Sequence, residues 1–214
     1  VRILALDTAA NLCAACVFDD AGGELGRAVL DLGKGHAEHL IGVIEAALER
    51  AGCAYADLGA IAVSIGPGSF TGVRVGVATA RGLALALDLP AIGITTLEAL
   101  ATQARDGQQG RPALARIEAG RGQAYVAAYA ADGKPTLEPA ALSIEDAGRL
   151  VADAGPDTII AEGQTADIAV YARLAAQKLA ADPGIAATKP KPLYLRDADA
   201  RPQEAFALPR REGA

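Results

Sequence analysis

The chain has 214 residues, 51% hydrophobic but only 4% aromatic, and a formal net charge of −6. That length suits one or two domains, and the scarcity of aromatics calls for a core of small aliphatic side chains. The acidic balance offers no electrostatic reason for direct, non-specific nucleic-acid binding, though it allows a share in a larger basic complex. No apolar run approaches the ~20 residues that span a bilayer. The first residues lead straight into a strand, so no signal peptide is expected and the chain reads as cytoplasmic.

Arg2–Asp7 is a first strand, Cys13–Phe18 a second and Leu25–Leu32 a third, with a hairpin turn at Asp19, Asp20, Gly22 and Gly23. Cys13 and Cys16 form a lone C-x-x-C, and Cys53 is the remaining cysteine. Three cysteines make no disulfide framework, and residues three apart on a strand point to opposite faces, so small buried thiols are expected. Gly33-Lys-Gly35 breaks the meander before a helix over His36–Ala51, which Gly52 stops. His36 and His39 sit three apart in its first turn. They could share a metal, but no carboxylate except Glu38 lies near, and that one points to another face.

Ile61–Ile65 is a buried strand that turns hard at Gly66-Pro-Gly68. Ser69 is placed to cap a helix running to Leu87, which Leu89-Pro90 ends. Two readings of this glycine-rich turn stay open. Free N–H groups at a helix N-terminus can bind an anion, yet the P-loop pattern is absent, because Val73 stands where a lysine is needed. Alternatively the glycines permit a tight turn, and Gly72 and Gly76, one helical turn apart, let a neighbour or a partner approach closely.

Ala91–Ile94 is a short strand, and Thr95 or Thr96 caps a helix to about Ala104. Asp106–Gly110 is a polar, glycine-bounded break, which divides the chain into domains at 1–105 and 106–214. Beyond it come strands over Ala113–Glu118 and Gln123–Ala130, a turn at Asp132-Gly133, a helix over Ile144–Ala154, a strand over Thr158–Ala161 and a helix over Ala166–Leu179. The tail holds Pro183, Pro190, Pro192, Pro202 and Pro209 and is expected to be mostly extended, with Leu193-Tyr-Leu195 as an anchor that packs back on the first domain. Three antiparallel strands followed by helix, strand, helix, strand and helix is the order of a ribonuclease-H-like unit. A second, reduced copy follows it. Two such units in tandem give the α/β actin, Hsp70 and sugar-kinase architecture. In nucleotide-binding members an acid where Asp7-Thr8 stands helps hold a metal–phosphate, which makes Asp7 and Thr8 weak cofactor candidates. The hairpin here, Thr8-Ala-Ala-Asn11, lacks the glycine those members use.

Ile3-Leu-Ala-Leu-Asp-Thr8, Gly66-Pro-Gly-Ser-Phe-Thr-Gly-Val-Arg74, Gly82-Leu-Ala84 and Pro192-Leu-Tyr-Leu-Arg196 resemble the TsaB (YeaZ) family of bacterial threonylcarbamoyl-adenosine biosynthesis proteins. The resemblance covers almost the whole chain. It implies an actin-like fold and a role in forming N6-threonylcarbamoyl-adenosine beside the anticodon of tRNAs that read codons starting with A. It further implies no catalytic residues and no cofactor of the chain's own. The transfer chemistry and the metal would lie on the larger paralogue TsaD, with the ATPase TsaE joining the pair, a homodimer possible in isolation, tRNA met only through the complex, and no membrane. TsaD's metal helix reads His-x-x-x-His, whereas here the spacing is His36-Ala-Glu-His39. The family's Asp-Ala-Arg-Arg-Gly-Glu-Val-Tyr segment stands here as Glu118-Ala-Gly-Arg-Gly-Gln-Ala-Tyr125. The docking surface implied for TsaD comprises His39, Ser69, Phe70, Thr71, Gly72, Arg74, Val75, Gly76 and Thr79. The competing reading is a small ATP-dependent kinase or metal-dependent hydrolase of the same architecture.

Overall fold

The structure is a computed structural model that describes residues 1–108 and 110–195. Its first half runs β1 (Arg2–Asp7), β2 (Leu12–Asp19), β3 (Gly23–Asp31), α1 (His36–Ala51), β4 (Ala60–Ser64), α2 (Phe70–Leu87), β5 (Ala91–Ile94) and α3 (Thr96–Ala104). The second runs β6 (Ala113–Glu118), β7 (Gln123–Tyr129), β8 (Pro135–Ser143), α4 (Ile144–Asp153), β9 (Ile159–Glu162) and α5 (Ile168–Ala181). One sheet has the order β3-β2-β1-β4-β5 and the other β8-β7-β6-β9. In each, a three-stranded meander is extended by a parallel strand beside its first member. This is the ribonuclease-H-like tandem of the actin, Hsp70 and sugar-kinase architecture.

Strand alternation divides the first core into two faces. Leu4 and Leu6 of β1 pack with Leu40, Val43 and Ile44 of α1 and Val73 and Val77 of α2. Ile3 and Ala5 face the opposite way, into a second cluster with Leu97 of α3 and Tyr171 and Ala175 of α5. Cys13 and Cys16 divide in the same manner, one in each cluster, and all three cysteines are free and buried.

The break at 106–110 separates the two sheets along the chain, but the helices cross it in space. α3, from before the break, lies on β6, β7 and β9, while α5, from after it, lies on β1 and β2. Ion pairs fix the exchange: Arg173 of α5 holds Asp106 at 2.8 Å, Lys178 holds Glu98 of α3 at 2.7 Å, and Arg27 of β3 reaches Asp167, the N-cap of α5, at 2.7 Å.

Two features add to the elements read from the sequence. β8 has no counterpart in that reading, and its Pro135 and Pro139 are residues that oppose a strand. It survives as an edge strand, and its register with β7 shifts around Pro139, where a missing N–H does no harm. Within the tail, expected to be mostly extended, Pro183–Ala187 forms a 3₁₀ turn that Asp182 caps. Arg196, Pro202 and Pro209 lie outside the described residues.

α2 approaches the turn after β1 closely at two glycines, Gly68 just before the helix and Gly72 within it. A Cβ on Gly72 would stand 1.9 Å from the Thr8 carbonyl oxygen, and one on Gly68 2.2 Å from that of Ala9. Gly72→Ala should therefore force α2 away from β1 and lower stability by about 2 kcal/mol or more, in the range of overpacked core sites. A denaturant titration in which the midpoint stays at the wild-type value would show that α2 can shift without cost.

Candidate functional site

Two places qualify: the point where the parallel strands of the first sheet end, and the outer side of α1 and α2. Open α/β sheets bind ligands beyond the carboxyl ends of their strands. Here that position holds Asp7 at the end of β1, Ser64 at the end of β4 and Thr96 at the start of α3. All three are buried, Asp7 to 1% exposure. Asp7 Oδ1 accepts from the Ala9 N–H at 2.9 Å, and Oδ2 accepts from the Thr165 hydroxyl at 2.5 Å. Thr165 lies 2.8 Å from the hydroxyl of Tyr171, which is fully buried in α5, and Ser64 and Thr96 pair at 3.2 Å. Thr8 donates to the Gly72 carbonyl at 2.7 Å.

Asp7 and Thr8 are each engaged within the chain. Both carboxylate oxygens of Asp7 already accept hydrogen bonds from this chain, and Thr165 and Tyr171 of the second half occupy the space beside them. Among the described residues no group of three or more His, Cys, Asp or Glu could hold a metal ion. Burial pushes the pKa of Asp7 above its ordinary value, against the opposing effect of the Thr165 and Ala9 donors. Burial, followed by the nearby Asp7, raises that of Tyr171.

The glycine-rich turn resolves towards close packing within the chain. Gly66 adopts φ 89° and its carbonyl accepts from Thr96 N–H at 2.8 Å. The Ser69 N–H donates to Ala9 at 2.6 Å, while its hydroxyl caps the Gly72 N–H at 3.2 Å. Gly72 and Gly76 are buried against Thr8, where a Cβ on Gly76 would stand 2.5 Å from the Thr8 hydroxyl oxygen. Their expected place on a partner-facing surface is therefore corrected: they face β1, and a long residue at Gly76 would test folding rather than docking. Val75 is half-buried and packs on the core. His36 is buried too, with Nε2 lacking a hydrogen-bond partner among the described residues, whereas His39 is exposed on α1.

What remains outward is Ser69, Phe70, Thr71 and Arg74, with Thr79 partly so, joined by Ala78, Arg81 and Leu85. Leu85 is 83% exposed, and Ile41 on the adjoining α1 is 47% exposed. By length and a mean hydropathy of 1.2, α2 could cross a membrane, but its Gly72, Val73, Gly76, Val77 and Ala80 face is buried in the fold. An open groove of about 930 Å³ between α3, α5 and the β7–β8 turn is a weaker candidate, because its Arg173, Lys178 and Lys134 already pair with Asp106, Glu98 and Asp132.

The family model for TsaD, tRNA N6-adenosine threonylcarbamoyltransferase, matches residues 31–159, more than half the chain. An uncharacterised protein of Mycobacterium tuberculosis (strain H37Rv) is 35% identical over 83% of both chains. The chain belongs to the tRNA N6-adenosine threonylcarbamoyltransferase (TsaD) family. The tRNA threonylcarbamoyladenosine biosynthesis protein TsaB of Escherichia coli is 36% identical over 62% of this chain, an alignment spanning 56% of the E. coli protein. YeaZ from Pseudomonas aeruginosa superposes with a TM-score of 0.75 at 26% identity, covering 91% of this chain and 99% of that one.

The segment Glu118–Tyr125 spans the β6–β7 turn, in which Gly120, Arg121 and Gly122 all take positive φ. Sequence reasoning missed Thr165 and Tyr171. Thr165 meets Asp7 across 158 positions, and the only local hint was one aromatic side chain in an alanine-rich helix.

The raised pKa of Asp7 has a defined sign. A folded state that holds its proton to higher pH gains stability below the ordinary value of 3.8 and loses it as the pH climbs through the raised one. Asp7→Asn keeps an acceptor for the Ala9 N–H without the charge. Melting curves should show this variant gaining on the wild type as the pH is raised from about 4 to about 8. A difference independent of pH would mean that Asp7 titrates like an exposed acid.

Proposed function

We propose that this chain is a non-catalytic partner and activator of TsaD in the formation of threonylcarbamoyladenosine next to the tRNA anticodon, acting in the cytoplasm. The relatives named TsaB support the pathway. The observation that carries the role is the sealed cleft: the acid that would serve a metal–phosphate is buried and hydrogen-bonded within the chain. The transfer chemistry, the metal and the nucleotide then belong to partner subunits, with TsaE as the ATPase and tRNA met only through the complex. In isolation the same surface would admit a second copy.

The exposed side of α1 and α2 is the surface this reading assigns to TsaD. An apolar patch rimmed by polar residues marks an interaction site more often than a random stretch of surface. Ile41, Phe70 and Leu85 supply the apolar part, with His39, Thr71 and Arg74 around it.

Threonylcarbamoylation of tRNA by the same organism's TsaD should depend on this chain, while the chain alone should neither turn over ATP nor form the nucleoside. Leu85→Asp lies on the surface, where such changes typically cost within about 0.5 kcal/mol of stability. It should weaken TsaD binding by about 2 kcal/mol, as expected of a hot spot. Equal modification with and without the chain would overturn the reading; a folded Leu85→Asp protein binding at wild-type affinity would move the docking surface elsewhere.

A further inference from the structure

The outer side of α2 and the end of the described chain meet at one place. Leu193 N–H donates to the Ile65 carbonyl at 2.8 Å, just past β4. Pro190 lies over Gly93 of β5, where an added Cβ would stand 3.2 Å from it. This course delivers Tyr194 onto the first turns of α2. Its ring centroid lies 5.5 Å from that of Phe70. The Arg74 guanidinium sits 3.6 Å from the centroid of Phe70 and 5.4 Å from that of Tyr194. Arg74 Nε donates to the Tyr194 hydroxyl at 2.7 Å.

This cluster stands on the surface, and its rings are 47% and 49% exposed for Phe70 and Tyr194. The rings therefore do little for the core; what they do is hold a long cationic side chain in one orientation. Surface arginines are otherwise mobile, and that freedom must be surrendered on binding. The terminal Nη atoms of Arg74 make no hydrogen bond or ion pair among the described residues. Arg81, two helical turns further along and also exposed, makes none either. α2 contains no acidic residue, although the chain as a whole carries a net charge of −6. The face is thus apolar and cationic on an acidic protein, and its leading cation is already ordered.

We propose that Arg74, clamped by Phe70 and Tyr194, is a specificity anchor of the α2 surface that receives an aspartate or glutamate carboxylate from the docking protein, and that the strap at 190–195 is part of that surface. This rests on the reading that α2 docks TsaD. With Nε engaged by Tyr194, the two Nη groups present parallel donors suited to a carboxylate. Lysine cannot reproduce that fork or the stacking. The flanking rings exclude water from the pair once a partner covers them, as the surround of a hot spot does.

The test titrates the full chain into TsaD from the same organism by calorimetry, at low and at physiological salt, with circular dichroism melts as the folding control. Arg74→Gln and Arg74→Lys should each bind about tenfold or more weakly, Arg74→Gln with a flatter salt dependence than the wild type and Arg74→Lys, which keeps the charge, with the slope largely retained. Tyr194→Ala should weaken binding severalfold while leaving the salt dependence in place. If Arg74→Gln binds with wild-type affinity and salt slope, the proposal fails while TsaD docking stands. If Arg74→Lys matches the wild type, charge alone suffices and the clamped fork is wrong. If Tyr194→Ala is unchanged, the strap is not part of the surface. If Arg74→Gln alters only self-association, measured by sedimentation, the carboxylate comes from a second copy and the proposal fails. If the wild type does not bind TsaD at all, the underlying reading fails.

Discussion

The structure depends on one steric constraint: α2 lies directly on the backbone of Thr8 and Ala9. Gly68, Gly72 and Gly76 leave no space for a side chain there. Two hydrogen bonds lock the contact, from Thr8 to the Gly72 carbonyl and from the Ser69 N–H to Ala9. Glycine in a helix costs about 0.5–1 kcal/mol relative to alanine, so this approach must be repaid by packing. Val73 and Val77 repay it, seated beside Leu4 and Leu6 of β1.

Holding the β1–β2 turn against α2 also shapes the cleft. The turn cannot lift, so Asp7 stays at the inner end of β1 and its carboxylate meets what the second half supplies. α5 supplies Tyr171 and the loop before it supplies Thr165. The exchange of α3 and α5 between the sheets then makes one continuous core of residues from both halves, with Ile3 and Ile94 beside Ala115 and Ile117. A buried polar network of this kind is stabilising only when each member finds a partner, and Asp7, Ser64, Thr96, Thr165 and Tyr171 all do.

The helix that holds the β1–β2 turn presents its far side to the outside. The inner side of α2 is small and tightly matched; the outer side carries Leu85, Ala78 and Phe70, all exposed. Rigidity on one side and exposure on the other suit a docking platform, since a preordered surface loses less entropy on association. The ion pairs of α5 with Asp106 and Glu98 work in that direction by tying the two halves together, although exposed pairs contribute little singly.

The sequence alone determined much of this. The β-branched and alanine-rich strands, the caps at Ser69 and Thr95, and the glycines after α1 and before α2 are local signals, and local signals suffice to place elements in order and from that order to read the fold. The family run Gly66–Arg74 was equally legible. Three things were decided only in three dimensions. Which side of α2 Gly72 and Gly76 occupy depends on the β1–β2 turn, sixty-odd positions away in the chain, and helical spacing cannot say whether the neighbour is internal or foreign. β8 forms because β7 offers it an edge with a bulge at Pro139, although its own prolines oppose a strand. The closing of the cleft by Thr165 and Tyr171 needs α5 to cross to the first sheet. That crossing is set by burial across the whole core, and no periodicity within α5 encodes it.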